Sequence, residues 1–453
     1  MSSEVVDTVY GLLPATLHFA LLGDLCEREG VQTGPFGTQL HKEDYVEVGT
    51  PIITVEHLGE NRIVHENLPC VSDADKSRLV KYSLKTGDIV FSRVGSVDRR
   101  ALVQPKENGW LFSGRCLRVR PKQSLLDSRW LSYFFGLPSF KNYIRAIAVG
   151  ATMPSLNTKL LSDVPIYYPS LAAQQDAAEL LVALDDRIAL LRDTNTTLEA
   201  IAQALFKSWF VDFDPVRAKQ EGCEPEGMDA DTAALFPDSF EESELGLVPK
   251  GWRVTTLSNA FEINPKRSLK KGSIAPYLDM ASLATSGHCV ENRIQREMGS
   301  GAKFRNGDTL LARITPCLEN GKSAFVDFLD DDQIGWGSTE FQVLRPKAPL
   351  PDYFGYLLCR HPVFRDFAIQ SMSGTSGRQR IQNDVLGRYL LALPNSGVAT
   401  AFTEVVQSVQ KRIAGNHKTA QTLATLRDTL LPRLISCQLR LPYAEALIEE
   451  ATV

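Results

Sequence analysis

The residues of this chain best suited to contact another molecule form a short polar loop in its second half. Gly377-Arg378-Gln379-Arg380 brings two guanidinium groups and an amide into one segment. Arginine and glutamine can each make paired hydrogen bonds to the edges of guanine and adenine, and guanidinium also binds phosphate. The ordinary alternative is a solvated arginine or one held in an ion pair of its own fold. The loop is therefore a candidate for nucleic-acid recognition.

The sequence lacks the motifs of an enzyme that acts on nucleic acid. Gly321-Lys322-Ser323 ends like a phosphate-binding loop, but Pro316 stands where that motif requires glycine. No G-x-G-x-x-G segment and no Asn/Asp-Pro-Pro-Phe/Tyr segment is present, and the seven histidines lack metal-ligand spacing. We predict no catalytic residue, no bound cofactor and no metal. A single-chain methyltransferase or nuclease is the alternative.

Composition and charge agree with a soluble protein of two or three domains. The chain has 453 residues, of which 43% are hydrophobic and 23% charged, and no apolar run reaches the ~18 residues of a membrane span. Glu4 and Asp7 argue against a signal peptide, and eight scattered cysteines fit reduced thiols in the cytoplasm. The net charge is −5, yet nine carboxylates and no basic residue lie between Glu221 and Pro249. The remainder is mildly basic, which is compatible with binding a polyanion.

Two long helical stretches would position such loops. Neither proline nor glycine interrupts the first between Leu171 and Phe210, and both stretches carry apolar residues at alternating steps of three and four, as two-helix supercoils require. The predicted seam comprises Leu184, Ile188, Leu191, Asn195, Leu198 and Leu205 in the first helix and Val409, Ile413, Ala420, Leu423 and Leu430 in the second. Because the seams match, each helix is expected to pack on the other, with Asn195 setting the register.

The sequence also repeats itself. Gly87–Arg93 (GDIVFSR) matches Gly307–Arg313 (GDTLLAR), and Arg187-Ile188 of the first helix recurs as Arg412-Ile413. Framework and helix repeat, whereas the stretches between them differ, which predicts two related domains with different targets. The predicted organisation is a first domain (1–168), a spacer helix (169–212), an acidic linker (213–248), a second domain (249–396), a second spacer helix (397–437) and a C-terminal tail (438–453).

Four segments, in their order along the chain, resemble the specificity subunits of type I restriction–modification systems. They are Gly34–Leu40 (GPFGTQL) with Asp44-Tyr45, Glu226–Phe240, Arg313–Lys322 (RITPCLENGK) and Leu426–Ser436 (LRDTLLPRLIS). Each motif is weak by itself, but four in this order are specific, and the resemblance covers essentially the whole chain. One departure is Cys437, where the family often has glycine.

The resemblance implies an α+β fold: two structurally similar mixed α/β target-recognition domains, separated by two long helices that pack as an antiparallel coiled coil, with a pseudo-twofold internal repeat. It implies a non-catalytic DNA reader in which each domain reads one half of a bipartite, asymmetric site and the helices set the spacing. Its partners would be double-stranded DNA, two modification (methyltransferase) subunits and, through them, restriction (endonuclease and translocase) subunits, with no membrane. S-adenosylmethionine, ATP and Mg would bind to partner subunits only. A coiled-coil scaffold that does not read DNA is a further alternative.

The candidate DNA-contacting residues lie in polar loops of both domains. In the first domain they are Gln32, Thr33, Phe36, Gln39, Arg93, Arg99, Arg100, Asn157 and Lys159. In the second they are Lys266, Arg267, Arg313, Thr315, Lys322, Arg378, Gln379 and Arg380. The candidates for docking the modification subunits are apolar residues outside the helix seam, namely Ile201, Phe206, Phe210, Leu426 and Leu431.

Overall fold

The structure is a computed structural model that describes residues 4–35, 39–375, 377–439 and 441–452. The chain forms two compact units. The first combines Met1–Ile188 with Gln421–Val453, and the second is Ala189–Ala420. None of the helices in the described segments is long and apolar enough to cross a membrane.

The described residues of the first unit form four sheets and, before the first long helix, four short α-helices. Its strands are β1 (Val5–Thr8), β2 (Gly11–Pro14), β3 (His18–Leu21), β4 (Cys26–Thr33), β5 (Tyr45–Val46), β6 (Thr50–Ile53), β7 (Cys70–Val71), β8 (Ile89–Ser92), β9 (Arg100–Leu102), β10 (Leu111–Phe112), β11 (Cys116–Pro121) and β12 (Pro165–Tyr168). Its helices are α1 (Asp73–Arg78), α2 (Ser128–Phe134), α3 (Pro138–Ile147), α4 (Thr158–Ser162) and the start of α5 (Leu171–Lys207).

The main sheet of the first unit has the strand order β4-β11-β8-β9 and is antiparallel. A second sheet, β10-β6-β7-β5, pairs β10 parallel to β6, and β1–β2 and β3–β12 form two-stranded sheets. Buried aromatic residues pack α2 and α3 against the main sheet: the Phe91 ring centroid lies 4.8 Å from that of Phe135, just after α2, and 6.4 Å from that of Phe140 in α3.

The second unit repeats the strand order of the main sheet and the pairing of both two-stranded sheets, whereas its second four-stranded sheet has a different strand order. Its elements are α6 (Asp214–Gln220), α7 (Ala230–Ala234), β13 (Phe240–Ser243), β14 (Gly246–Pro249), β15 (Arg253–Thr256), α8 (Leu257–Ala260), β16 (Phe261–Ile263), β17 (Ile274–Leu278), β18 (Ile294–Glu297), β19 (Ala302–Phe304), β20 (Thr309–Ala312), β21 (Ser323–Phe325), β22 (Gly335–Gly337), β23 (Phe341–Pro346), α9 (Phe354–Arg360), α10 (Pro362–Gln370), α11 (Asn383–Leu386) and β24 (Leu390–Leu393). The main sheet is β16-β23-β20-β21; the others are β18-β17-β22-β19, β15–β24 and β13–β14.

Two more helices complete the chain, α12 (Ser396–Ile435) and α13 (Leu441–Thr452). Within the second unit, Asn195 Nδ2 of α5 donates to the Ile413 carbonyl of α12 at 3.1 Å, and Asn416 Nδ2 donates to Asn195 Oδ1 at 2.9 Å. Just after α5, in the π-helical turn Ser208–Asp212, the Trp209 ring centroid lies 5.5 Å from that of Phe402. Later residues of α5 thus meet earlier residues of α12, so these helix segments are antiparallel.

The predicted seam is packed, while supercoiling of the pair stays a prediction. Seven of the eleven seam residues are buried and the other four half-buried; the buried ones are Leu184, Ile188, Leu191, Ile413, Ala420, Leu423 and Leu430, and the half-buried ones are Asn195, Leu198, Leu205 and Val409. Asn195 lies in the seam with its amide paired, as a residue that sets register should.

Three predictions about the segments around the helices need correction. First, α5 ends at Lys207 and a π-helical turn, Ser208–Asp212, follows, because aromatic packing there overrides the regular helix. Second, the predicted acidic linker contains α6, α7 and the β13–β14 hairpin, since Val216 and Phe236 are buried in the core of the second unit. Third, the predicted C-terminal tail contains α13, whose Ala444 is fully buried.

Two of the predicted docking residues lie in a core. Phe206 and Phe210 are buried, with ring centroids 5.0 Å and 5.1 Å from that of Phe354. They cannot form an outer face of α5. Leu426 and Leu431 are half-buried, and Ile201 is exposed.

Candidate nucleic-acid interface

A buried carboxylate fixes the turn that leads into the central strand of the main sheet in each unit. In the second unit, Asp308 is fully buried and accepts from Arg267 Nη2 at 2.5 Å and from Arg345 Nε at 2.7 Å. In the first unit, Asp88 accepts from Arg120 Nε at 2.7 Å and from Arg120 Nη2 at 2.6 Å. Such buried, bidentate pairs hold a rigid geometry.

The glycine that precedes each aspartate allows this turn. Gly87 has φ 88° and Gly307 has φ 86°, a backbone region that strains any residue with a Cβ. Each turn delivers one arginine to the same place at the far end of the strand, Arg93 after β8 and Arg313 after β20. The arginine is half-buried in both units.

The segments around these arginines make the same backbone contacts in both units. In the second unit, Arg313 N donates to the Glu340 carbonyl at 3.0 Å, and Arg380 exchanges two backbone hydrogen bonds with Ser373 at 2.9 Å and 3.0 Å. In the first unit, the same contacts join Arg93 N to the Arg115 carbonyl at 2.8 Å and pair Ser155 with Val149 at 2.9 Å and 3.0 Å. A common framework therefore places Arg115 and Ser155 in one unit where Glu340 and Arg380 stand in the other.

The equivalent positions carry different chemistry. In the second unit, Glu340 receives a bidentate contact from Arg380, with distances between 2.7 Å and 3.1 Å, and a hydrogen bond from Arg313 Nε at 3.1 Å. The hydrogen bonds from Arg380 and then Arg313 lower the pKa of Glu340, and the pKa of Arg380 is raised. Arg115 and Ser155 offer a cation and a hydroxyl instead, so the two surfaces present different donors.

Four of the second-unit candidates converge on one loop pair. Thr315 Oγ1 accepts from Gln379 N at 3.0 Å, which ties the loop after β20 to the segment that carries Arg378, Gln379 and Arg380. Arg378 is exposed, whereas Gln379 and Arg380 are half-buried. This arrangement brings these four nominated residues to one edge of the main sheet beside Arg313.

A concave surface of about 570 Å³ lies beside this edge. Lys266, Lys303 and Arg313 supply its basic groups, and the Phe341 side chain forms an apolar part of its wall. Lys266 is exposed, and Lys303 Nζ is 3.2 Å from the carbonyl oxygens of Arg267 and Leu269. A basic concavity next to arginine and glutamine side chains suits a phosphate backbone with base edges in reach.

Several nominated residues have structural roles. Arg100 is buried, its Nε donates to the Ser132 carbonyl at 2.8 Å, and burial lowers its pKa to about 10. The Arg267 side chain is buried against Asp308. Neither guanidinium has surface to present to a duplex, so both are withdrawn as DNA contacts. Lys322 Nζ donates to the Met280 carbonyl at 2.8 Å, and Arg99 donates to the Leu58 carbonyl.

The other first-unit candidates are dispersed around the main sheet. Gln32 and Thr33 are half-buried at the end of β4, and Gln39 is exposed, with Oε1 accepting from Tyr82 at 2.6 Å. Asn157 caps α4 through Leu160 N at 2.8 Å, and Lys159 is exposed. Phe36 lies outside the described residues.

Some basic residues near these surfaces were missed by sequence reasoning. Lys303 lines the concavity, and Lys270 and Arg296 are exposed in the same unit, with the Arg296 guanidinium 4.7 Å from the centroid of the Tyr277 ring. Arg115 is exposed beside Arg93. The cluster Lys266–Lys271 was a usable signal, since basic residues there precede a strand, but Arg115 and Arg296 meet their neighbours only through long-range pairing.

The fold and its two surfaces define a class of protein: a duplicated α/β scaffold whose two units share the main-sheet framework and differ in the side chains at the edge of that sheet. Comparison with known proteins agrees. Residues 18–200 match the family described as "Type I restriction modification DNA specificity domain". The HindI specificity subunit of Haemophilus influenzae is 23% identical over 426 residues, which cover 83% of this chain and 91% of that protein. The MjaIX specificity subunit of Methanocaldococcus jannaschii is 25% identical over 333 residues, 71% of each chain.

The solved S subunit of a type I restriction–modification system from M. genitalium has the same fold, with a TM-score of 0.56 at 15% identity over 92% of this chain and 96% of that one. Over residues 18–200 the chain matches the DNA specificity domain of type I restriction–modification systems, and along most of its length it is similar to specificity subunits of such systems. These are the DNA-recognition subunits of their enzymes and are not catalytic.

Proposed function

We propose that each unit of this chain reads one half of a bipartite, asymmetric DNA site. The observation that carries the proposal is that two equivalent backbone positions hold different side chains in the two units. Arg115 of the first unit corresponds to Glu340 of the second, and Ser155 corresponds to Arg380. A shared framework would present each loop set to DNA in the same way, while different side chains would select different bases.

The paired helices would set the distance between the two half-sites. Readers held on a stiff spacer demand a fixed separation of their half-sites, of the order of one helical turn of DNA. In this proposal the packed seam and the Asn195–Asn416 hydrogen bond of 2.9 Å keep the spacer in one register.

The chain would act only as part of a larger complex in the cytoplasm. Two modification subunits would dock on it and bring restriction subunits with them. S-adenosylmethionine, ATP and Mg would be held by those partners, with no cofactor on this chain. Transfer of a tritiated methyl group from S-adenosylmethionine to DNA by the isolated chain would contradict the proposal that its partners hold the cofactor and carry out the methylation.

Methylome sequencing of cells that carry the chain with its modification subunit tests the proposal. We expect methylation within one motif made of two unlike half-sites separated by a fixed number of unspecified bases. A continuous motif, or a palindromic pair of half-sites, would contradict independent reading by two units. Methylation without sequence preference would instead support a scaffold that does not read DNA.

A further inference from the structure

Glu340 of the second unit binds two guanidinium groups at once at the edge of the main sheet. Arg380 donates to the two carboxylate oxygens through Nε, at 3.1 Å and 2.9 Å, and through Nη2 at 2.7 Å. Arg313 Nε donates to the same carboxylate at 3.1 Å. Because two cations share one anion, the cluster keeps a surplus positive charge, which favours a further anionic or electron-rich acceptor beside it.

The fold does not depend on this cluster. The first unit keeps the same backbone hydrogen bonds with Arg115 at the position of Glu340 and Ser155 at that of Arg380, and these two side chains cannot form the same ion pairs. The side chains of Arg380, Arg313 and Glu340 are 36%, 26% and 21% exposed. Ion pairs this accessible contribute little to folding. Stability of the unit therefore does not explain why the three side chains are held together.

The backbone that carries Arg380 is fixed on both sides. Arg380 exchanges two backbone hydrogen bonds with Ser373, at 2.9 Å and 3.0 Å, and the next residue, Ile381, donates to the Arg313 carbonyl at 3.0 Å. The carboxylate of Glu340 then holds the far end of the same side chain. A side chain fixed at both ends loses little conformational freedom when it binds, so Arg380 is preorganised for a contact.

Glu340 leaves one edge of the Arg380 guanidinium uncovered. The carboxylate takes the N–H groups of Nε and one of those of Nη2, and no hydrogen bond within the described segments involves Nη1 of Arg380. Nη1 and the second N–H of Nη2 form a parallel pair of donors. This pair matches the O6 and N7 acceptors of guanine in the major groove, whereas adenine offers one acceptor and one donor there.

Arg313 is placed to hold the DNA backbone instead. It lines the basic concavity of about 570 Å³, as do Thr339 and Phe341, the chain neighbours of Glu340 on either side. Its equivalent in the first unit is also an arginine, Arg93. A residue that is the same in both units cannot distinguish two unlike half-sites, so Arg313 suits a phosphate, which every sequence offers.

We propose that Arg380 reads a guanine in the half-site of the second unit and that Glu340 is the residue that positions it. The inference rests on the proposed function and deepens it, because it names the base and the side chain that selects it. Glu340 itself makes no contact with the base. Its replacement should therefore abolish discrimination although every group that contacts the base is still present.

Competitive binding of the full chain, in complex with its modification subunit, to duplexes that contain 7-deazaguanine tests the proposal. This base lacks the N7 acceptor and still pairs with cytosine, and it replaces one guanine of the methylated motif at a time, in either strand. We expect one position at which the replacement weakens wild-type binding at least about fivefold and leaves the binding of Arg380→Ala unchanged. The control Arg388→Ala, whose side chain is 74% exposed in the same unit, should respond as the wild type does.

Glu340→Gln tests the positioning role. An amide oxygen cannot hold two guanidinium groups as a carboxylate does, so this variant should lose most of its dependence on the guanine N7 even though it retains Arg380. The control Glu404→Gln removes an exposed carboxylate on α12 and should keep the full dependence. If Glu340→Gln binds every duplex more tightly by the same factor and keeps its dependence on N7, Glu340 only repels phosphate and the positioning role is overturned.

The failure of this inference differs from the failure of the proposed function. A motif of two unlike half-sites in which no guanine depends on Arg380 would overturn the inference and leave the proposed function standing. Binding without any sequence preference would refute the proposed function.

Discussion

Removing Arg378 and Arg380 together should relax recognition of one half-site and leave the other unchanged. Arg380 is bidentate to Glu340, but the side chains are 36% and 21% exposed. An ion pair this accessible contributes about 0–1 kcal/mol to folding. A specific base contact contributes ~1–3 kcal/mol to binding, which is about 5- to 150-fold in affinity. The double variant, Arg378→Ala with Arg380→Ala, should therefore lose discrimination while keeping nearly all of its stability.

The assay is competitive binding of the complex with its modification subunit to duplexes that carry single base changes in either half-site. Arg388→Ala is the matched control, because Arg388 in the same unit pairs only loosely with Asp384 at 3.6 Å and its side chain is 74% exposed. The control should bind all duplexes as the wild type does. Equal weakening at both half-sites, with discrimination preserved, would show that these arginines contact phosphate and would refute the reasoning.

Three further outcomes follow from buried and paired groups. Asp308→Ala leaves Arg267 and Arg345 without their shared carboxylate and should lower the free energy of unfolding, measured by urea denaturation, by about 3–5 kcal/mol. The control Asp384→Ala, which removes an exposed ion pair, should lower it by less than about 0.5 kcal/mol. Leu191→Asp buries a carboxylate in the seam and should lower the free energy of unfolding by at least about 3 kcal/mol, whereas Leu190→Asp on the exposed side of α5 should leave it nearly unchanged. Similar losses for both variants would show that Leu191 is not part of a packed seam. The pKa of Glu340 is lowered in the folded state, so the stabilisation by its ion pairs is present above the unfolded pKa near 4.5 and is lost as the pH falls through the folded pKa. The difference in unfolding free energy between the wild type and Glu340→Gln should therefore shrink in acid. A difference that stays constant with pH would exclude the ion pairs as its source.

The sequence predicts the helices and the repeat well because both are local patterns. Apolar spacing predicts a helix over 169–212 and another over 397–437, and the structure has α5 at Leu171–Lys207 and α12 at Ser396–Ile435. The Gly-Asp segments at Gly87 and Gly307 recur because one turn geometry needs a glycine at positive φ before a carboxylate that caps it.

Long-range pairing explains what the sequence could not predict. Arg100 and Arg267 look like surface arginines until the sheet brings the Ser132 carbonyl and Asp308 to them. The acidic composition of 213–248 resembles a linker, yet Phe236 packs with its ring centroid 5.1 Å from that of Trp209. In each case a tertiary contact overrides a local signal, and a single sequence contains no record of that contact.

Some equivalent positions of the two units carry the same residue and others carry different residues, and this difference has an energetic reason. Asp88 and Asp308 are buried, and changing either would strand a charged partner, so both halves keep the same residue there. Arg115 is exposed and Glu340 is half-buried, and each accepts the equivalent backbone hydrogen bond through its carbonyl, from Arg93 N and Arg313 N respectively. Exchanging a charge at such an accessible position changes the stability of the fold only slightly. The same exchange would add or remove a hydrogen-bond donor or acceptor that a base could contact. Different side chains at these positions therefore cost the fold little, and under the proposed function they would let one scaffold carry two unlike DNA-reading surfaces.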